Sequence, residues 1–155
     1  DEKTHKKLCF AVEQMGLAGR ATCVQMAAYS HQQTLEFDSR GGRQSALREE
    51  SLVTGAAGAA KPKIKLVQGQ SLDNVAGEET VTLINMDVEG AERQALEGCA
   101  KIIARDRPKM LIAAYHRSED LFAIPLQIAA MRSDYRFYLR HYPYIPAWDT
   151  NLYCV

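Results

Sequence analysis

Residues 81–92 read Val-Thr-Leu-Ile-Asn-Met-Asp-Val-Glu-Gly-Ala-Glu, and this stretch decides the fold. Residues 81–84 are apolar or β-branched throughout, which is typical of a strand covered on both faces of a sheet. A helical pattern follows, so the carboxylates of Asp87, Glu89 and Glu92 fall at a strand-to-helix turn. In open parallel α/β sheets, ligands bind outside the carboxyl ends of the strands. We therefore expect Asp87 and Glu89 to face whatever molecule this protein handles.

The spacing of apolar residues on either side of this turn predicts an α/β domain. Strands are predicted at residues 21–29, 34–37, 63–67, 81–84, 109–116, 135–142 and 151–155. Helices are predicted at residues 3–15, 71–75, 91–106 and 118–133. Turns are predicted at residues 40–43 and 143–148, and a mobile loop at residues 51–63.

Three of these elements carry more specific expectations. The small and β-branched residues of the strand at 21–29 predict that it is buried, and the alternation at 63–67 predicts a strand at a sheet edge. Ser118 is expected to cap the start of the last helix, with Glu119 and Asp120 as first-turn acids. Pro125 suits a first helical position, so this helix is expected to break near Ile124.

The composition favours a single intracellular domain. A chain of 155 residues suits one domain with a substantial core. Lysine plus arginine equals aspartate plus glutamate at 19 each, so no net charge favours nucleic acid or an anionic membrane as a partner. No apolar stretch approaches the roughly 20 residues of a membrane span, and no signal peptide is recognisable. We therefore expect a cytoplasmic protein.

The four cysteines are expected to be buried, reduced thiols. Cys9, Cys23, Cys99 and Cys154 are far apart in the sequence and form no Cys-x-x-Cys pair. Three of them lie in otherwise apolar segments, which favours burial over disulfide formation.

Three further segments follow the acidic turn in a fixed order: Tyr115-His116-x-x-Glu119-Asp120 with Ile124-Pro125, then residues 137–142, Phe-Tyr-Leu-Arg-His-Tyr, and residues 150–153, Thr-Asn-Leu-Tyr. Together with the turn, from about Thr82 to Val155, they resemble the C-terminal portion of the FkbM-type S-adenosylmethionine-dependent methyltransferases. Residues 1–8 resemble, more loosely, the stretch just after the second strand of that family.

The resemblance implies a class I methyltransferase fold, which is a Rossmann-like three-layer α/β sandwich. Its sheet is mostly parallel with an antiparallel C-terminal strand. The first strand of that fold, and the glycine-rich loop that holds the methionine part of the cofactor, would lie before Asp1. Residues 1–155 are then expected to be a single partial methyltransferase domain, about two thirds of the whole, with self-association through the uncovered sheet edge.

The resemblance also implies a reaction and a cofactor. Members of the family methylate hydroxyl groups of sugars and natural products with S-adenosylmethionine, so the expected partner is a small-molecule or saccharide acceptor. The strand that ends near Gln25 to Ala28 is where this family meets the adenine of the cofactor. Gln25 or Ala27 would make that contact, although small residues there also suit plain packing.

Asp87, Glu89 and His116 are the expected catalytic residues. A hydroxyl must lose its proton as it attacks the methyl group, and a positioned base or a metal ion assists this step. Asp87 and Glu89 would orient or deprotonate the acceptor hydroxyl or bind a divalent cation, while His116, at the end of the next strand, would act as a base or hydroxyl partner. The alternative is that Asp87 or Glu89 caps the helix that begins near Ala91.

Glu92 is expected to be structural. It is placed outside the apolar stripe of the helix, pointing away along it, where its charge would complement the helix dipole.

Two other functions fit the same residues. A metal-dependent hydrolase could use Asp87, Glu89 and His116 around a cation. A non-catalytic module could keep the fold and bind a partner or a sugar.

Overall fold

The computed structural model describes residues 2–38, 46–47, 64–142 and 150–155, which form two mixed four-stranded sheets and five helices. The elements, in chain order, are α1 (Glu2–Gln14), β1 (Ala27–Ala28), β2 (Gln33–Asp38), β3 (Ala46–Leu47), β4 (Ile64–Gln70), α2 (Leu72–Ala76), β5 (Leu83–Met86), α3 (Glu92–Glu97), α4 (Ala100–Asp106), β6 (Lys109–Ala113), α5 (Asp120–Met131), β7 (Phe137–His141) and β8 (Thr150–Cys154). The predicted turns at residues 40–43 and 143–148 and the predicted loop at 51–63 lie outside the described residues.

The first sheet has the strand order β1-β4-β2-β3. β1 runs parallel to β4, whereas β2 is antiparallel to both β4 and β3. The prediction that residues 63–67 form an edge strand is wrong, because β4 lies between β1 and β2. The two strands pack closely at Gly69, since a Cβ there would lie 2.7 Å from Cδ1 at the flexible end of Leu35 on β2.

The second sheet has the strand order β5-β6-β8-β7. β5 and β6 are parallel, so their carboxyl ends lie at the same edge, and β8 is antiparallel to both β6 and β7. The antiparallel C-terminal strand is confirmed. The expectation of a mostly parallel sheet is wrong for the described strands, where the β1–β4 and β5–β6 pairings are parallel and the other four are antiparallel.

The helix predicted at residues 91–106 is divided into α3 and α4 at Gly98 and Cys99. A Cβ at Gly98 would overlap the backbone carbonyl of Tyr29, so the chain passes too close to the first sheet for any other residue. Asp73 of α2 then caps the new helix, because its carboxylate accepts hydrogen bonds from the backbone N–H groups of Lys101 (3.0 Å) and Ile102 (2.9 Å). The division of the helix therefore depends on contacts far away in the sequence.

Two other predictions are also corrected. The strand expected at residues 21–29 is limited to β1, because only Ala27 and Ala28 pair with β4, and most side chains at residues 21–25 are exposed. The helix break expected near Ile124 is absent. α5 continues through Pro125, and the complete burial of Ile124 and Ile128 on either side offsets the hydrogen bond that proline cannot make.

The core lies between the second sheet and helices α3, α4 and α5. Its fully buried side chains include Leu96, Ile103, Met110, Ile112, Ile124, Ile128 and Leu152. Cys99 and Cys154 are buried in it as free thiols, and burial raises the pKa of each to about 12. Cys9 and Cys23 are free but only half-buried, so the expectation of burial holds for two of the four thiols. In the described part of the chain, no helix combines the length and the apolar character that crossing a bilayer requires.

An ion pair holds the loop between α2 and β5 against the end of α4. Asp106 Oδ2 accepts a hydrogen bond from the backbone N–H of Val81 at 2.9 Å, and Oδ1 lies 2.7 Å from Nε of Arg105. Arg105 in turn donates to the carbonyls of Gly77 and Glu79 at 2.8 and 2.6 Å. The hydrogen bond from Arg105, followed by that from Val81, lowers the pKa of the Asp106 carboxyl to about 2.

This lowered pKa predicts a loss of stability in acid. A carboxyl with a lowered folded-state pKa stabilises the fold above its ordinary pKa of about 4, and this contribution is lost as the pH falls through about 2. Asp106→Asn should therefore lower the free energy of unfolding at neutral pH and flatten its fall in acid. Urea unfolding measured at a series of pH values checks this, with Glu97→Gln, an exposed acid on α3, as the control. Identical acid profiles for Asp106→Asn and the parent chain would contradict it.

The position of β5 predicts self-association of the 155-residue chain. β5 is an edge strand among the described residues, and Leu83 on it is 63% exposed, which makes it a template for pairing with a second copy. Light scattering should show the apparent mass rising with concentration, and Leu83→Lys should reduce that rise. Leu66→Lys is the matched control, since Leu66 is also largely exposed, at 72%, but lies on the interior strand β4. A monomer at high concentration would rule the association out.

Candidate active site

The acidic turn joins β5 to α3 through an unusual backbone. β5 ends at Met86, and Glu89 and Gly90 follow with φ angles of 55° and 96°. Glycine is favoured at such angles, whereas a side chain such as that of Glu89 adopts them at a cost, and residues of this kind concentrate at functional sites. The turn places the carboxylates of Asp87 and Glu89 at the edge of the second sheet, where β6 also ends.

His116, three residues beyond the end of β6, lies among three carboxylates. Its Nε2 is 3.5 Å from Oδ1 of Asp87 and 3.3 Å from Oε2 of Glu89. Its Nδ1 is 2.9 Å from Oε1 of Glu92, although the ring N–H is not well aligned with that oxygen. The three expected catalytic residues, Asp87, Glu89 and His116, are therefore brought together around one imidazole.

The expectation that Glu92 points away along the helix is wrong. Its side chain is fully buried, and Oε1 accepts a hydrogen bond from the backbone N–H of Val88 at 3.0 Å in addition to its contact with His116. The helical spacing of Glu92 with Ala95 and Leu96, both buried, puts it on the apolar stripe rather than beside it. That spacing was the sequence signal for its position.

The charges of Glu92 and His116 stabilise each other. Burial raises the pKa of the Glu92 carboxyl, but the contact with His116 and the backbone N–H groups of Glu92 and Val88 outweigh it, so the pKa is lowered. Burial likewise lowers the pKa of His116, but the contact and charge of Glu92, followed by the charges of Asp87 and Glu89, raise it overall. The protonated imidazole and the carboxylate are therefore the favoured pair.

Tyr115 fixes the more exposed carboxylate. Its hydroxyl donates to Oδ2 of Asp87 at 3.1 Å, and its ring lies against the His116 ring with centroids 4.2 Å apart. The side chain of Asp87 is nonetheless 56% exposed and that of Glu89 40% exposed. These two carboxylates can therefore contact a bound molecule from the solvent side. The carboxylate of Glu92 is shielded from solvent by the turn.

Asp120 is a second buried acid near the site. It begins α5 on the same stripe as Ile124 and Ile128, and neither of its carboxylate oxygens accepts a well-formed hydrogen bond from the described residues. Burial, followed by the charge of Glu92, raises its pKa, while Arg117 opposes the shift. The expectation that Asp120 is an ordinary, exposed acid of the first helical turn is therefore wrong. Its spacing of four residues from Ile124 indicated the buried face of the helix.

The capping alternative is not realised. Ala91 is the N-cap residue of α3 and makes no side-chain capping bond, so neither Asp87 nor Glu89 serves that purpose. The hydroxyl of Ser118 does not cap α5 either, because the N-cap position is taken by Glu119, which makes no capping bond.

Of the two residues expected at the cofactor, Ala27 lies in the first sheet and Gln25 lies just before it. Ala27 is the first residue of β1 and is paired with Gly69, and Gln25 is exposed in the segment that leads into β1. The structure therefore gathers the three expected catalytic residues into one cluster at the second sheet and places Ala27 in the first.

These features define an α/β protein with a candidate active site at the carboxyl ends of two adjacent parallel strands. A family model described as the methyltransferase FkbM domain matches residues 4–146, and the chain belongs to this family of methyltransferases. The fold is similar to the crystal structure of methyltransferase FkbM from Methylobacillus flagellatus KT, with a TM-score of 0.71 and 26% sequence identity. The match covers 99% of this chain and 33% of that one, so the chain spans about a third of its length. A search of curated proteins finds no match.

The buried pair predicts a large stability change at Glu92. Glu92→Gln removes a buried charge opposite His116, and breaking such a pair costs about 3 kcal/mol. Urea unfolding at neutral pH should show this loss. Glu97→Gln, an exposed acid on the same helix, should stay within about 0.5 kcal/mol of the parent chain. Equal effects of the two substitutions would contradict the assignment.

Proposed function

We propose that this protein is an S-adenosylmethionine-dependent O-methyltransferase that acts on a hydroxyl group of a sugar or natural product. The methyltransferase family supplies the reaction class and gives no support to a hydrolase. The single observation that carries the choice of acceptor chemistry is the grouping of Asp87, Glu89 and His116 at the carboxyl ends of β5 and β6. A hydroxyl acceptor needs groups that orient it and take its proton, and this cluster offers both.

The exposed carboxylates would bind the acceptor. In an in-line transfer the acceptor oxygen forms a bond to the methyl carbon as the bond from that carbon to sulfur breaks, and the hydroxyl proton leaves to a base. Asp87 is held in place by Tyr115 and remains open to solvent on its other side. It would accept a hydrogen bond from the acceptor hydroxyl, and Glu89 would receive the proton.

The residues expected at the cofactor fit its adenine end. Ala27 and Ala28 present small side chains at the end of β1, which lets a flat ring lie close, and the exposed amide of Gln25 can pair with the edge of the base. When bound, S-adenosylmethionine supplies the electrophilic methyl group. The part of the reaction that this chain's own residues would perform is then on the acceptor side: orientation of the hydroxyl and removal of its proton.

Replacing Asp87 tests the proposal. In the longest reading frame that contains this chain, Asp87→Asn should lower kcat by at least about 100-fold while the affinity for S-adenosylmethionine stays nearly unchanged. The measurements are methyl transfer to a panel of sugars and hydroxylated natural products, and calorimetric titration of the cofactor.

Glu119→Gln is the matched control, since Glu119 is an exposed acid at the same sheet edge outside the cluster, and it should leave both quantities unchanged. Equal losses of turnover and cofactor affinity in Asp87→Asn would indicate that Asp87 binds the cofactor rather than the acceptor. No methyl transfer to any hydroxyl in the panel by the parent protein would count against the proposal itself.

A further inference from the structure

We infer that Asp87, Glu92 and His116 form a binding site for one divalent transition-metal ion such as Mn²⁺ or Zn²⁺. Its existence as a binding site follows from the cluster itself. Its role, which is to bind and acidify the acceptor hydroxyl, rests on the proposed methyl transfer. The ligand set differs from the one expected from sequence, because Glu92 takes the place of Glu89.

The three side chains are spaced for coordination. Each offers one ligand atom, and these three atoms lie within 4.8 Å of one another. Ligand atoms about 2.1 Å from a metal ion lie roughly 3.0–3.4 Å apart in octahedral or tetrahedral geometry. Nε2 of His116 is 3.5 Å from Asp87 and Nδ1 is 2.9 Å from Glu92, so side-chain rotation is needed to bring one ring nitrogen and both carboxylates to a single ion.

The buried carboxylate gives an independent reason for a cation. Glu92 is fully buried, and its Oε2 has no well-formed hydrogen bond from the described residues. An unsatisfied buried carboxylate oxygen is costly, and native structures rarely keep one without a bound water or ion beside it. Nδ1 of His116 points past Oε1 of the same carboxylate rather than at it. A cation beside Glu92 would satisfy this oxygen.

The balance of charge at this edge also favours a cation. Among the described residues, five carboxyl groups lie here, those of Asp87, Glu89, Glu92, Glu119 and Asp120, against the cationic groups of His116 and Arg117. Carboxylates that are not balanced by cations repel one another, and a bound ion of charge two would offset that repulsion.

The donor set selects the class of ion. Imidazole nitrogen suits Fe²⁺ and Zn²⁺ and carboxylate oxygen suits Mn²⁺, whereas Ca²⁺ takes more oxygen ligands than this site offers and Mg²⁺ keeps most of its water. Three protein ligands leave at least one coordination position open, as in catalytic rather than structural sites. That position would face outward beside Asp87, which is the exposed ligand, and an acceptor hydroxyl bound there would lose its proton more readily. Glu89 lies close enough to His116 to take the proton.

Calorimetric titration of the metal-free 155-residue chain with Mn²⁺ alone and with Zn²⁺ alone tests the site. One ion should bind per chain, more tightly than Mg²⁺ or Ca²⁺, and Asp87→Asn and His116→Gln should each weaken binding at least about tenfold. Glu119→Gln should bind like the parent chain. Asp87 is exposed, so its substitution should leave the fold intact, and the circular dichroism spectrum of each variant checks its folding.

Absence of binding, or binding that Asp87→Asn and His116→Gln leave unchanged, would overturn the inference. Methyl transfer is measured separately, with and without a chelator. Ion binding that depends on these residues, together with no methyl transfer to any acceptor, would leave the site standing and refute the proposed function. Methyl transfer that a chelator does not affect, in a chain that binds no ion, would refute the metal site and leave the proposed function standing.

Discussion

The buried carboxylate of Glu92 is the constraint on which the rest of the site depends. Taking an ionised carboxylate out of water costs several kcal/mol, and only close partners offset that cost. Here the partners are the backbone N–H of Val88 and the imidazole of His116. These contacts join the end of β5, the start of α3 and the segment after β6. Any movement of one against the others would leave a buried charge without its partner, so the strand ends are held in register with each other.

Glu92 reaches this position because α3 is short and its direction is fixed from the other sheet. Gly98 lets the chain pass against the carbonyl of Tyr29, and its own carbonyl accepts a hydrogen bond from the backbone N–H of Asp73 at 2.8 Å. The Asp73 carboxylate then begins α4. A single straight helix from residue 91 to 106 would not satisfy these contacts. The two sheets are thereby linked through the same segment that carries the buried acid.

The sequence predicted most elements and the proximity of Asp87 and His116, for identifiable reasons. α1, β2, α2, β7 and β8 have strong periodicity or clear caps, as where the hydroxyl of Ser71 accepts from the backbone N–H of Asn74 at the start of α2. The proximity of Asp87 and His116 was predictable because the carboxyl ends of two parallel strands lie at the same edge of the sheet. The predictions that failed concern contacts between residues far apart in the sequence. The pairing of β4 with two neighbours and the capping of α4 by Asp73 have no signal in the local sequence.

The wrong predictions for Glu92 and Asp120, which were expected to be exposed, have a local cause. Both lie on the apolar stripe by simple helical spacing, Glu92 with Leu96 and Asp120 with Ile124, so the pattern itself indicated burial. Acids are so commonly exposed on helices that residue type was given more weight than position. Because burying a carboxylate is costly, an acid at an apolar position of a helix is better interpreted as part of a site than as an imperfect surface residue.

Asp87, Glu89, Glu92 and Asp120 carry the same chemical group, divided by environment into two kinds. Asp87 and Glu89 are exposed and can exchange water for a ligand, whereas Glu92 and Asp120 are buried away from solvent. His116 lies between the two kinds, with Nε2 towards the exposed carboxylates and Nδ1 towards the buried one. Removing a proton from an acceptor requires an imidazole or carboxylate held at a fixed distance. The buried acid provides that rigidity, and so the exposed acids are free to interact with a ligand rather than to hold the fold.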